Sequence, residues 1–183
     1  AWIHEMMDTY ADFIIALTTP ILEEVIPDSI HFFEDMAYRG GSLISPEFFR
    51  KFMMNPYKRV LDHFRAYHVP FFVIDSDGKV DELIPLFLEL GMDGMYPFEV
   101  QAGMDILQVR KHYGKELVIW GGLDKRVLEK TKADIDREVY AKVPSMLEKG
   151  GYIPALDHEP QPGIPFENFC YYRQLIRKIC ERG

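Results

Sequence analysis

Residues 70–90, PFFVIDSDGKVDELIPLFLEL, decide the fold. Pro70 to Asp75 form an apolar run with little alternation, the pattern of a strand covered on both faces in a parallel sheet. An acidic turn follows, Asp75-Ser76-Asp77-Gly78, and then a helix over 81–90 that stops at Gly91, where a left-handed residue is usually needed. Outward from this unit the same order repeats. Downstream the chain predicts strand 94–97, helix 104–113, strand 117–121, helices near 125–149, strand 151–156 and helix 166–181. Gly114 and Gly150 again mark helix ends. Upstream it predicts a helix over 4–25 interrupted at Thr19-Pro20, a strand within SIHFFED (29–35), and a helix after the loop RGGSLIS. That helix opens on Ser45-Pro46-Glu47, an N-cap, a first-turn proline and an acid at the positive end of the dipole. Pro56 is its expected kink.

Each strand ends on acid. The ends are Asp35, Asp75 with Asp77, Glu99, Asp124, and Asp157 followed by His158. In parallel α/β folds the carboxyl ends of neighbouring strands converge on one mouth, where the βα loops build the active site. Asp35, Asp75, Asp77, Glu99, Asp124 and His158 are therefore the candidate catalytic residues of a single anionic pocket. Tyr96 and Trp120 at strand ends are candidates to stack on a flat substrate, with simple packing as the plainer alternative. Glu34 and Asp35 point to opposite faces, which favours Asp35 for the mouth. His31, mid-strand, reads as a core histidine, and Asp105 as the cap of the next helix.

No linker or composition shift divides the chain, so residues 1–183 read as one domain. Its 48% apolar and 27% charged residues fit an ordered globular protein rather than a disordered one. A net charge of −8 with no Lys/Arg cluster disfavours nucleic-acid and anionic-membrane partners. The longest apolar runs are strand-sized, and no signal peptide is visible. Cys170 and Cys180 both fall on the last helix, about 15 Å apart along its axis, so they do not bridge. Free thiols without a secretory signal imply a cytoplasmic location. The chain begins at Ala1 without Met, which implies a removed upstream segment.

Five βα units are fewer than the eight of a closed barrel, which usually takes about 250 residues. An open doubly wound sheet and the carboxyl-terminal five-eighths of a barrel both remain open on this ground. Three segments bear on the choice: SLISPEFFRKFMMNPYKRVLDHFRAYHVPFF (42–72), VIWGGLDKRVL (118–128) and HEPQPGIPFENF (158–169). Together they resemble the uroporphyrinogen decarboxylase superfamily, over nearly the whole chain. SPEFF with the following PYKR is distinctive in combination, whereas GGLD alone is weak. The resemblance implies the carboxyl-terminal portion, about five βα units, of a TIM (β/α)8 barrel. The amino-terminal strands and their arginine-rich substrate motif are then supplied by a missing part of the barrel or replaced by a homo-oligomer partner, since open sheet edges invite association.

That superfamily includes uroporphyrinogen decarboxylases and corrinoid-linked methyltransferases that pass methyl groups to thiols. In the methyltransferase branch the strand matching 70–78 carries a His-x-Cys-Gly zinc motif, here replaced by Asp75-Ser76-Asp77-Gly78, and the third ligand matches His158. The resemblance implies a small-molecule substrate, a divalent metal on Asp75, Asp77 and His158, and a corrinoid or other methyl donor, with a corrinoid protein as partner. Oxygen and nitrogen ligands suit Zn²⁺, Mn²⁺, Mg²⁺ or Fe²⁺. A metal-free decarboxylase is the second expectation, with crowded carboxylates of raised pKa as acids and no cofactor. Its highly anionic porphyrinogen needs cations, and the loops supply few besides Arg39, Lys79 and Lys125. A non-catalytic binding barrel is the third. The plainest reading has Asp77 capping a helix that begins near Lys79 and Asp75 bonding backbone amides. An EF-hand is excluded, because the register would place Val73 and Ile84 at ligand positions.

Overall fold

The structure, a computed structural model, describes residues 1–148 and 150–181. In chain order it runs α1 (Trp2–Glu24), β1 (Ile30–Phe33), a hairpin of β2 (Ala37–Tyr38) and β3 (Gly41–Ser42), and α2 (Pro46–Phe48). A π-helical turn (Phe49–Met53) leads into α3 (Met54–Ala66), followed by β4 (Phe72–Asp75), α4 (Ile84–Leu90), β5 (Gly94–Tyr96) and α5 (Ile106–Tyr113). Then come β6 (Val118–Trp120), α6 (Lys132–Glu148), β7 (Tyr152–Ile153) and α7 (Phe166–Cys180). Five strands form one sheet in the order β1-β4-β5-β6-β7, and every neighbouring pair is parallel. Strands that pair in chain order with a helix after each are the arrangement of a (β/α) barrel, here an arc of it.

The two faces of the arc differ. Ile74, Met95 and Ile119 point outward and are 0–1% exposed, joining Phe49, Leu83 and Phe87 in the layer between sheet and helices. Edge-to-face packing of Phe49 on Phe87, with centroids 5.4 Å apart, locks α4 against the π-helical turn. Alternation along each strand sends His31, Phe33, Asp75, Tyr96 and Trp120 to the concave inner face. Phe33 is 78% exposed there.

Caps follow the sequence closely. The Ser45 side chain accepts the Phe48 amide with Pro46 at the first turn, and Asp105 accepts the Leu107 amide at the start of α5. Other expectations need correction. α1 is continuous through Pro20 rather than interrupted at Thr19-Pro20. Proline leaves the Ala16 carbonyl without its amide donor, but α1 packs on α3, and that tertiary contact carries the helix through the break. Residues 37–42, running into the expected loop 39–45, form the unexpected β2–β3 hairpin. The helix expected to kink at Pro56 instead changes character earlier, in the π-helical turn Phe49–Met53, and Pro56 sits in the first turn of α3. Among the described residues no helix is long and apolar enough to cross a membrane.

Candidate functional site

The turn after β4 is held from three sides. Gly78 has φ +85°, and a Cβ there would lie 2.7 Å from the Ala37 carbonyl carbon and the Tyr38 nitrogen, so only glycine lets the β2–β3 hairpin sit on the turn. The Lys79 amide donates to the Tyr38 carbonyl at 3.0 Å, and the Met36 amide donates to the buried Ser76 hydroxyl at 3.3 Å. From the next βα unit, Glu99 accepts the Gly78 amide at 3.1 Å. Asp77 caps no helix, because α4 begins only at Ile84 with Leu83 as its N-cap.

The positioned turn delivers Asp75 and Asp77 to a cavity of about 440 Å³ at the carboxyl ends of the strands, which Tyr96, Trp120, His158 and Arg173 also line. His158 Nε2 lies 3.4 Å from Asp77 Oδ2. His158 Nδ1 accepts the Glu159 amide at 2.8 Å, which fixes the tautomer with its proton on Nε2, facing Asp77. The end of β4 and the loop after β7 therefore meet across the mouth. Burial raises the Asp75 carboxyl to about 6, with the like charge of Asp77 adding to it and the Tyr96 hydroxyl working against it. Tyr96 in turn is pushed up to about 12 by burial and by Asp75. Asp77 is also raised by burial; His158 and Lys125 counter the shift, while Asp35 and Glu99 add to it.

The other acidic strand ends do different work. Asp35 is exposed and lies outside the cavity lining, although its charge reaches Asp75 and Asp77. Glu34 turns the opposite way and accepts the Tyr57 hydroxyl. Asp124 caps the 3-10 turn Lys125–Glu129. Burial raises its carboxyl, but the bonds from Arg126, one at 2.7 Å, outweigh this and hold it below the usual range. It points to Arg126 rather than into the cavity. Asp157 is 0% exposed and accepts the Val100 amide at 2.9 Å and the Lys125 amide at 3.0 Å. It pins the loops after β5 and β6 to the end of β7. His31, expected in the core, is exposed on the inner face, edge-on to Tyr96 and Trp120 at 5.8 and 5.7 Å.

The three positions expected to hold a divalent ion do not assemble as a ligand set. Asp77 faces His158, both imidazole nitrogens are engaged, and Asp75 sits against Tyr96. Among the described residues no three His, Cys, Asp or Glu side chains are gathered to hold one ion. Phe33, Phe169, Tyr172 and Arg173 line the cavity without having been singled out in the sequence. The last three share one face of α7 at i, i+3 and i+4, a spacing readable in the sequence; that this face looks into the mouth is not.

A barrel arc with its acids gathered at the strand carboxyl ends defines a class of α/β enzyme-like proteins. Within it, this chain belongs to the uroporphyrinogen decarboxylase (URO-D) family, whose pattern it matches over residues 1–179. No curated protein matches it. Among solved structures it is similar to a methyltransferase from Methanosarcina mazei, with a TM-score of 0.63 and 19% identity over 92% of this chain. It spans 47% of that protein, and the likeness at this identity is one of fold.

Proposed function

We propose that the protein is a methyl-transfer enzyme of the uroporphyrinogen decarboxylase superfamily, acting on a small molecule at the mouth of the barrel arc. The observation that carries this reading is the approach of His158 to Asp77 at 3.4 Å beside Asp75, at the three positions that the resemblance matches to the methyltransferase branch's zinc ligands. The similarity to a methyltransferase from Methanosarcina mazei is in keeping with it. Asp75, titrating at about 6, is mostly ionised at neutral pH and serves as the base. It takes the proton of an acceptor thiol as the S–H bond breaks, and the thiolate sulfur then takes the methyl group while the donor keeps the bonding pair. The proton leaves Asp75 to solvent at the open mouth, while the His158 Nε2–H holds the neighbouring Asp77 carboxylate in place. A corrinoid, where it is the donor, supplies an electrophilic methyl group. No step is assigned to a metal.

Decarboxylation of a porphyrinogen is the weaker reading, because Arg173 is the one Lys or Arg among the described residues that line the cavity, poor company for many substrate carboxylates. The test is methyl transfer to a thiol by the full-length protein, with His158→Ala and Asp75→Asn as controls and uroporphyrinogen turnover measured alongside. Transfer that falls by about 10²-fold or more in either variant supports the reading. Turnover of uroporphyrinogen without methyl transfer overturns it.

A further inference from the structure

The parallel register sets a row of side chains across the inner face at the level of the mouth. Phe33 is paired with Asp75, and Asp75 with Tyr96. Trp120 extends the row on β6, stacked on Tyr96 with ring centroids 4.8 Å apart and planes at 28°. A carboxylate is thus flanked by aromatic rings on both sides, facing a cavity of about 440 Å³, a size suited to a small molecule. The lining holds Asp75, Asp77 and Glu159 against a single guanidinium, Arg173, together with His158.

These two features narrow the ligand chemistry in different ways. Excess carboxylate selects for positive charge. The aromatic faces select for a cation that carries apolar substituents, because a bare ammonium keeps its water while a methylated one gives up little hydration and gains contact with the ring quadrupole. A neutral flat molecule would use the rings but leave the carboxylates crowded and uncompensated. A carboxylate-bearing substrate would meet the acids head on.

We propose that this row, Phe33, Asp75, Tyr96 and Trp120, binds a methylated ammonium cation. The proposal deepens the methyl-transfer reading, under which the cation is the methyl-bearing substrate, but the binding itself is separable from turnover. Asp75 supplies the countercharge, the Trp120 and Tyr96 faces hold the methyl groups, and Phe33 closes the apolar side.

Calorimetric titration of the full-length protein with choline and with 3,3-dimethylbutan-1-ol, its uncharged analogue of the same shape, tests the idea. Ethanolamine, charged but unmethylated, is the third probe. Choline should bind about ten-fold or more tighter than either. Asp75→Asn should abolish the preference over the alcohol, and Trp120→Leu the preference over ethanolamine, each with the circular dichroism of the parent protein. Equal affinity for the three probes, no choline binding, or a choline preference untouched by both variants overturns the proposal. Choline binding without methyl transfer rejects the activity and keeps the site; methyl transfer without choline preference does the reverse.

Discussion

Asp75 carries the largest burden of any single residue. Its carboxyl titrates at about 6, pushed up by burial and by Asp77, so at neutral pH the fold holds a charge it disfavours. The folded-state value lies above the unfolded one, so the ionised group costs stability above about pH 6 and the cost disappears as pH falls toward the ordinary carboxylate value of about 4. Asp75→Asn should therefore raise the Tm at pH 8 and leave it nearly unchanged at pH 4, as measured by thermal denaturation at the two pH values. Activity should move the other way. As the base, Asp75 gives kcat/KM an acid limb near pH 6, with rate lost as pH falls through it, and the Asn variant should lose both that limb and most of the rate. A variant that is less stable at pH 8, or a wild-type profile flat across pH 6, would contradict this role. Asp157 shows the opposite use of the same side chain. It is fully buried and bonded to two amides from different loops. Asp157→Ala leaves both amides unpaired and should cost about 2–4 kcal/mol in denaturant unfolding, whereas Asp124, which caps one 3-10 turn and pairs with the exposed Arg126, should cost about 1 kcal/mol when truncated.

At the level of the elements, the alternation of strand and helix was readable because each strand is a short apolar run and Gly91, Gly114 and Gly150 close helices beside it. The mouth was readable for the same reason: strand ends in a parallel sheet share one side, so the acids there had to be neighbours in some order. What the sequence does not settle is which of those acids look into the cavity. Asp75 and Asp77 do, while Asp124 is drawn off by Arg126 two residues on, and Glu99 by the amide of Gly78. Such choices depend on side-chain partners set by turn geometry, which periodicity does not encode. The β2–β3 hairpin leaves no pattern in the sequence, because its strands are only two residues each, too short for any alternation to register. At Pro20 the sequence signals a break, but not the packing of α1 on α3 that carries the helix through it. A mid-strand histidine belongs in the core only where both faces of the strand are covered; the inner face of β1 is open, and His31 is exposed on it.

For the whole molecule, the sheet ends on β1 and β7, and no strand pairs with their outer edges among the described residues. Beside β1, large apolar side chains face solvent on α1, with Trp2 76% and Phe13 56% exposed. An unpaired parallel edge next to an apolar surface is a template for association. The 183-residue chain by itself should therefore self-associate, seen as a mass above 21.4 kDa in light scattering. Addition of a polypeptide carrying the remaining strands of the barrel should convert it to a one-to-one complex. A stable monomer in dilute solution would contradict that expectation.

The account rests on side chains from the end of β4 and from the loop after β7 forming one site, and carboxyl titration by ¹³C NMR reads that contact directly. In the wild-type protein Asp75 should titrate near 6, and His158→Ala, which removes an imidazole that lowers both carboxyls, should move Asp75 and Asp77 upward together. An Asp75 that titrates near 4, or two carboxyls indifferent to the loss of His158, would mean that the mouth does not bring these groups together.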